Sequence, residues 1–583
     1  LLYHEPVPKR TWWILILGLF LVLHLPHLGL RELRREEAIL LAVADGLGDG
    51  WFQAQIHGQP VQALPLVPGL MRLVATTGLP PEWCARLPAA LAILGLAGLA
   101  GWMAGRMAGH LAGAVAAAVC VSAYGVLGIA SREPVVPVGA FFLAAAWFLW
   151  YRFGRMRHQW AMAWATGLGL ATLAFFCIGL PAFLIFYLPL LLLRRPLRVW
   201  PRIWNWGHLL TLASVAALLW AWHAGQPPGR PPPAWGEVNV AGFFHHLLAY
   251  PLATAVQLLP WTFLAWPGFC AAFRPVERTP VFCSYLRTIL LSVWIGGWLL
   301  PTVRPEQLHP LLAPLAVLTG IHADILLRRH FRPLFLLPEI LFRGGTALAV
   351  LATLLLATIA AGWLRLAGLD APLYFLCLGS AFAALLLGIG WLRRRPPPTF
   401  LAQMLAGIVC ATFAIQAFYP AWRMLFFETR RAAGAALAAA VPPGATVFLP
   451  PETNLPVETL YLRRPARRIQ APAELPETAA EAYVLGGAKP PLLETRSWEA
   501  VSPPIPAQQR SGPRWHWLPE EGGLLRIERG ASPAAAPVVR MYRGTLKTLR
   551  EPAAVPAAVP AASLNRQPPR RPRAESATHL EKT

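Results

Sequence analysis

About thirteen apolar runs recur along the first 420 positions, each near the roughly 20 residues that carry a helix across a bilayer, and no soluble core could absorb them all. They fall near 11–29, 85–105, 110–130, 135–151, 160–177, 179–193, 205–224, 247–272, 286–303, 309–327, 344–364, 373–392 and 400–420. The expected architecture is an α-helical polytopic membrane protein. Composition agrees, since 56% of the 583 residues are hydrophobic and only 14% charged, with a mean hydropathy of +0.48. The run at 11–29 follows Lys9-Arg10 without a small-residue cleavage site and reads as a retained first span.

A formal net charge of +23 raises nucleic acid as a partner, but the basic residues come in short clusters between spans and no nucleic-acid motif accompanies them. "MAGRMAGH", "YRFGRMRHQ", "RRPLRVWPR", "FRPVER", "LLRRHFRP" and "LRRRPPP" all fall in alternate loops, which the positive-inside rule places in the cytoplasm. The charge therefore reports topology. The seven cysteines, Cys84, Cys120, Cys177, Cys270, Cys283, Cys377 and Cys410, lie in or beside apolar runs with no CxxC spacing, so neither a disulfide framework nor a zinc site is expected.

One outer loop breaks the pattern. The segment "LRELRREEAILLAVADGL" at 30–47 opens the loop 31–84 with three arginines and three glutamates in seven residues. Read as a helix, Leu33, Leu40, Ala44 and Leu47 form an apolar stripe, with Arg31, Arg34 and Arg35 opposite and Glu36 and Glu37 flanking it. Spacing alone fits a solvated interfacial helix equally well. A lone acid, Glu133, lies where the third span leaves on the same side, a costly position without a partner or a wet cavity. After Tyr419 the texture changes to a helical pattern alternating with short β-rich runs such as "ATVFL" and "AYVLG". Residues 1–425 thus read as the transmembrane domain, 426–545 as a small extracytoplasmic α/β domain, and 546–583 as an Ala/Pro-rich disordered tail.

The ordered stretches "RREEAILLAVADGLGDGWFQAQIHGQPVQALPL", "PPEWCARLPAALAIL", "ASREPVVPVGAFFLAA", "FFHHLLAYPLATAVQLLPW" and "RPEQLHPLLAPLAVLTG" resemble the membrane glycosyltransferases that include protein O-mannosyltransferases and the lipid A aminoarabinose transferases. The resemblance spans most of residues 10–500. It implies the GT-C fold, an active site at the outer membrane surface of a bacterial cytoplasmic membrane, and a polyprenyl-phosphate sugar donor whose sugar passes to a glycan, lipid or protein acceptor.

On that resemblance Glu36 aligns with the first-loop acid that serves as base or orients the acceptor, Glu37 with its acidic neighbour, and Glu133 with the second-loop acid. Arg86 is the best match for a donor-phosphate ligand, with Arg304 and His309 in "RPEQLHP" fitting the outer loop that contacts the carrier. The residue types suit the chemistry: a carboxylate takes the acceptor proton, and an arginine fork suits the departing phosphate. Carboxylates and water would also suit Mg²⁺ or Mn²⁺, although no specific ligand set is present. The sequence departs from the pattern at Ala63 and Ile178, where lysines are usual, and carries glutamates where aspartates are usual. Those departures keep a second reading open, a GT-C relative that serves as a binding or scaffold subunit. A transporter is disfavoured, because the spans show no repeat pairing and no mid-span polar relay.

Overall fold

In the computed structural model, the described residues are 9–328 apart from 31, 48–53, 58, 128, 130–132, 195, 227–239, 260, 301–302 and 304. Beyond these it describes 364–366, 430–450, 456–469, 475, 481–486, 496–502, 505–506, 513–518, 524–529 and 538–546. The apolar runs become helices α1 (Lys9–Leu30), α4 (Pro81–Ala108), α5 (His110–Ser122), α6 (Val135–Tyr151), α7 (Trp160–Ile178), α8 (Pro181–Leu191), α9 (Trp206–Ala224), α10 (Val240–Gln257), α11 (Pro280–Leu299) and α12 (Leu312–Arg328). By length and composition, six helices among the described residues could cross a membrane. The chain is a multi-pass membrane protein. The spans expected at 344–364, 373–392 and 400–420 lie almost wholly outside the described residues, and so does the tail after 546.

Sequence dictates several of the helix ends. Pro81 occupies the first turn of α4, where its missing N–H costs nothing. The run expected at 247–272 is instead broken: α10 stops at Gln257 and short helical turns carry residues 262–276, because Pro267 and Pro275 supply no N–H to continue a helix. In α4 and α5 small residues let the backbones close, and a Cβ on Gly113 would stand 2.6 Å from the Gly101 carbonyl oxygen.

A set of buried polar groups lies where the loop before α11 meets the bundle. Glu277, read in sequence as part of a basic cytoplasmic loop, is 8% exposed and forms an ion pair with Arg287 of α11. His322 of α12 meets the same carboxylate at 3.2 Å, and the Arg287 Nε donates to the Gly268 carbonyl at 2.6 Å. Three polar groups buried together satisfy one another, which is the condition for tolerating them in a bundle. They tie α11 to α12 at the end away from the first loop.

That first loop is ordered by its own elements: α2 (Arg35–Gly46), a hairpin of β1 (Ala54–Ile56) and β2 (Gln59–Val61), and α3 (Leu66–Ala75). Helix α2 starts later than the sequence stripe assumed, so Leu33 and Leu47 flank it and the buried face is Glu37, Ala38, Leu41, Ala42, Val43 and Ala44. Its first turn carries Glu36 and Glu37, favourable at the positive end of the helix dipole.

After residue 429, α13 (Arg430–Ala439) and α14 (Pro456–Leu462) pack with a mixed sheet. Its strands are β4 (Val447–Leu449), β5 (Ala466–Arg468), β6 (Glu481–Gly486), β7 (Arg496–Ala500) and β11 (Val538–Leu546), in the order β5-β4-β6-β11-β7. Strand β4 runs parallel to both β5 and β6, while β11 runs antiparallel to β6 and β7. The short β8 (Ile505–Pro506) adds to β11, and β3 (Leu364–Leu366), β10 (Leu524–Arg529) and β9 (Pro513–Leu518) form a second small sheet. Leu437, Val447, Leu485 and Met541 lie in the core of the larger sheet, buried to within 1%.

Candidate active site at the first loop

Glu37 and Arg86 make the centre of this region. Glu37 is fully buried and Arg86 is 1% exposed. The Arg86 Nε donates to Glu37 Oε1 at 2.7 Å and its Nη2 donates to Oε2 at 3.1 Å, a two-pronged match of planar groups. Further donors go to backbone: Nη1 to the Leu28 carbonyl at 3.0 Å, and Nη2 also to the Glu32 carbonyl at 2.9 Å. Glu37 in turn reaches back along its helix, accepting the Arg34 N–H at 2.7 Å. One guanidinium thereby fastens the end of α1, the start of the loop and the first turn of α2 onto α4.

This geometry gives Arg86 a carboxylate partner and two carbonyls, not an open position facing an anion. Sequence reading assigned it to donor phosphate; in the structure these donors are spent on Glu37 and the two carbonyls. The two neighbouring glutamates separate for a related reason. Glu36 is exposed while Glu37 is buried, because successive helical residues lie about 100° apart and only one can face α4. Of the two acids flanking the stripe, only Glu37 turns inward. Glu133 is half-buried just ahead of α6, its N–H donating to the Ile129 carbonyl at 2.9 Å. Helix α2 and the start of α6 share an apolar cluster in which Ala38, Leu41 and Ala44 pack with Val138 and Ala85, so Glu36 and Glu133 belong to the same end of the bundle.

His309 is buried in the turn Pro305–Leu311 ahead of α12, and Arg304 lies outside the described residues. His309 lines a cavity of about 350 Å³ whose walls also include Thr254, Gln257, Leu290, Trp294 and Leu312. The volume falls in the range of small-molecule sites, and its walls are mostly hydrocarbon. Ala63 packs on Val43, Leu47 and Ala54, and Ile178 packs against the cluster under α2, so both positions without lysine are filled by apolar contacts. Among the described residues, no three His, Cys, Asp or Glu side chains converge as a metal cage requires.

Sequence reading missed the groups that join this loop to the C-terminal elements. Tyr461 of α14 accepts the Leu33 N–H at 2.9 Å and donates to Glu82 Oε1 at 2.9 Å. The same Glu82 oxygen accepts Arg431 Nη2 at 2.6 Å, and the Glu32 carboxylate accepts the N–H groups of Arg430 and Arg431 at 3.0 and 2.8 Å. Burial raises the Tyr461 pKa, with Glu82 beside it adding to the effect. For Arg431, burial alone would lower the pKa, but Glu82 and Tyr461 outweigh it and the net shift is upward. Glu82 stands four residues before Arg86, one helical turn away, which is the single local hint the sequence offered. At the hairpin tip His57 has φ 52° and its carbonyl accepts the Arg468 N–H of β5 at 3.1 Å. Burial and then Arg468 lower the His57 pKa, partly offset by a backbone hydrogen bond at Ala466.

The helical membrane bundle, the ordered helix in its first loop and the C-terminal α/β unit seated on that helix make up a GT-C membrane fold. The crystal structure of ArnT from Cupriavidus metallidurans bound to undecaprenyl phosphate matches with a TM-score of 0.60 at 15% identity, covering 92% of this chain and 98% of that one. The apo state of the same protein matches with a TM-score of 0.57 at 15% identity, covering 82% and 93%. No protein-family model and no curated protein sequence matches the chain. The likeness is one of fold.

Proposed function

We propose that the chain transfers a sugar from a polyprenyl-phosphate donor to an acceptor hydroxyl at the outer face of a bacterial cytoplasmic membrane, with inversion at the anomeric carbon. The observation that carries this reading is the clamp at Glu37 and Arg86, which fixes α2 and leaves Glu36 exposed in the same helical turn. The acceptor oxygen attacks the anomeric carbon and its proton passes to the Glu36 carboxylate. The bond from that carbon to the phosphate oxygen breaks, and the lipid phosphate leaves with the electron pair. Glu133, at the same end, orients the acceptor, while Arg304 and His309 are the groups assigned to the phosphate. The apolar cavity beside His309 suits the first isoprene units of the carrier. The solved relative by fold holds undecaprenyl phosphate, which supports a carrier of that class.

The test is donor consumption in proteoliposomes supplied with a labelled sugar on polyprenyl phosphate, with and without a membrane extract as acceptor source. Glu36→Gln should lower turnover by about 10² or more, since it removes a base while keeping shape. Unchanged turnover in both Glu36→Gln and Glu133→Gln would overturn the assignment. The apolar filling at Ala63 and Ile178 favours a second reading, a scaffold subunit that binds the carrier without transfer. Tight binding of polyprenyl phosphate by a wild-type protein that never consumes the donor would select it.

A further inference from the structure

Between Glu133 and Glu237 the sequence contains eight arginines and no acidic residue. Arg152, Arg155, Arg157, Arg194, Arg198 and Arg202 fall where α6 hands over to α7 and α8 to α9, at the end of the bundle opposite α2. Here α6 continues into a wide turn, Arg152–Met156, closed by the Arg157 N–H donating to the Arg152 carbonyl at 3.1 Å. Such π turns recur at functional sites. Gly154 lets Trp160 pack directly on this turn, since a Cβ there would stand 2.4 Å from the indole. The Arg202 guanidinium lies 3.7 Å from the centre of the Trp160 ring, and its backbone is held by Trp164, whose Nε1 donates to the Arg202 carbonyl at 3.0 Å.

The Arg202 side chain is thus positioned, yet its charge is unanswered. Its Nη1 is buried without a hydrogen-bond partner, and its Nη2 meets only the Pro196 carbonyl at 3.3 Å. Burial lowers its pKa, and the nearby Arg155 adds to the effect. Among the described residues no carboxylate pairs with either arginine. Trp200, Trp204 and Trp206 around them are 54%, 76% and 77% exposed, as tryptophans are at the headgroup layer of a bilayer.

We propose that Arg155 and Arg202, with Trp160 as the platform beneath, hold the phosphate of an anionic phospholipid headgroup at this end of the bundle. The site is independent of the transfer reaction. The Arg202 guanidinium positioned on Trp160, with Arg155 of the π turn nearby, matches a phosphate, and exposed tryptophans at the same level place it among headgroups rather than in open water.

The experiment is native mass spectrometry of the full chain in detergent, titrated with phosphatidylglycerol or phosphatidylcholine. The wild type should retain phosphatidylglycerol in preference to phosphatidylcholine, and Arg155→Gln with Arg202→Gln should weaken phosphatidylglycerol by about tenfold or more with phosphatidylcholine unchanged. Should the double variant fail to fold, Arg155→Gln alone, which leaves Arg202 on Trp160, should still weaken it by about threefold or more. Unaltered phosphatidylglycerol affinity in whichever of these variants folds would overturn the proposal. So would displacement of the lipid by equimolar inorganic phosphate, which would mark a site for free anions.

Discussion

Glu36 and Glu37 are adjacent and chemically identical, yet substitution should part them cleanly. Glu37→Gln leaves Arg86 buried without its charge partner and should cost about 3–5 kcal/mol in a detergent unfolding titration. Arg86→Ala strands Glu37 in the same way, so lost activity in that variant reports folding before chemistry. Glu36→Gln lies on an exposed face and should change stability by less than about 0.5 kcal/mol while lowering turnover by about 10² or more. His57 offers a pH test. Its pKa is lowered in the folded chain, so the stability it contributes is present above the ordinary histidine value of about 6.5 and is lost as pH falls from there through the lowered value. Contact between hairpin and β5, followed by limited proteolysis across pH 7 to 4, should loosen on acidification. His57→Asn, a residue that tolerates the positive φ, should flatten that dependence.

Between elements, the junction of α2, α4 and α14 decides whether the first loop is held. Tyr461→Phe keeps the ring but leaves the Leu33 N–H and the Glu82 carboxylate each short of a partner, at about 1–3 kcal/mol. Hydrogen exchange should show the Leu33 amide losing protection while amides in the α5 core keep theirs. Gly46 ends α2 against the hairpin, where a Cβ would stand 1.8 Å from the Gln55 carbonyl oxygen, and backbone cannot step aside as a side chain can. Gly46→Ala should therefore displace β1 and cost about 1–3 kcal/mol, read as a lowered unfolding midpoint. The α2 boundary shows what was legible at this scale. Its helical character and first-turn acids were plain in sequence, and Leu33, Ala44 and Leu47 of the stripe are buried as it implied, but Leu40 is only half-buried and the inward face also takes in Glu37, which the stripe left at its flank.

For the whole molecule, carrier binding and stability are linked. If the cavity beside His309 takes the carrier chain, polyprenyl phosphate at about 100 times its Kd should add about 2.7 kcal/mol to stability. Leu308→Trp, which fills part of that cavity, should erase the gain. A thermal-shift series with and without lipid makes the measurement, and an equal shift in both proteins would remove the cavity from the binding reading.

The sequence by itself determined that this chain spans a membrane many times, where most of its described helices fall, and that its first long loop carries unusual charge. Those features are local: apolar run length, proline positions and charge clusters need no partner to be read. Tertiary structure decided which glutamate is buried, that Arg86 clamps a helix, and that α10 gives way to a cavity. It also supplied Tyr461, which closes on Glu82 across 379 residues of chain and on Leu33 across 428. The reason is physical: a buried ion pair or hydrogen bond is fixed by which surfaces meet, and residues so far apart leave no periodic trace of their meeting in the sequence.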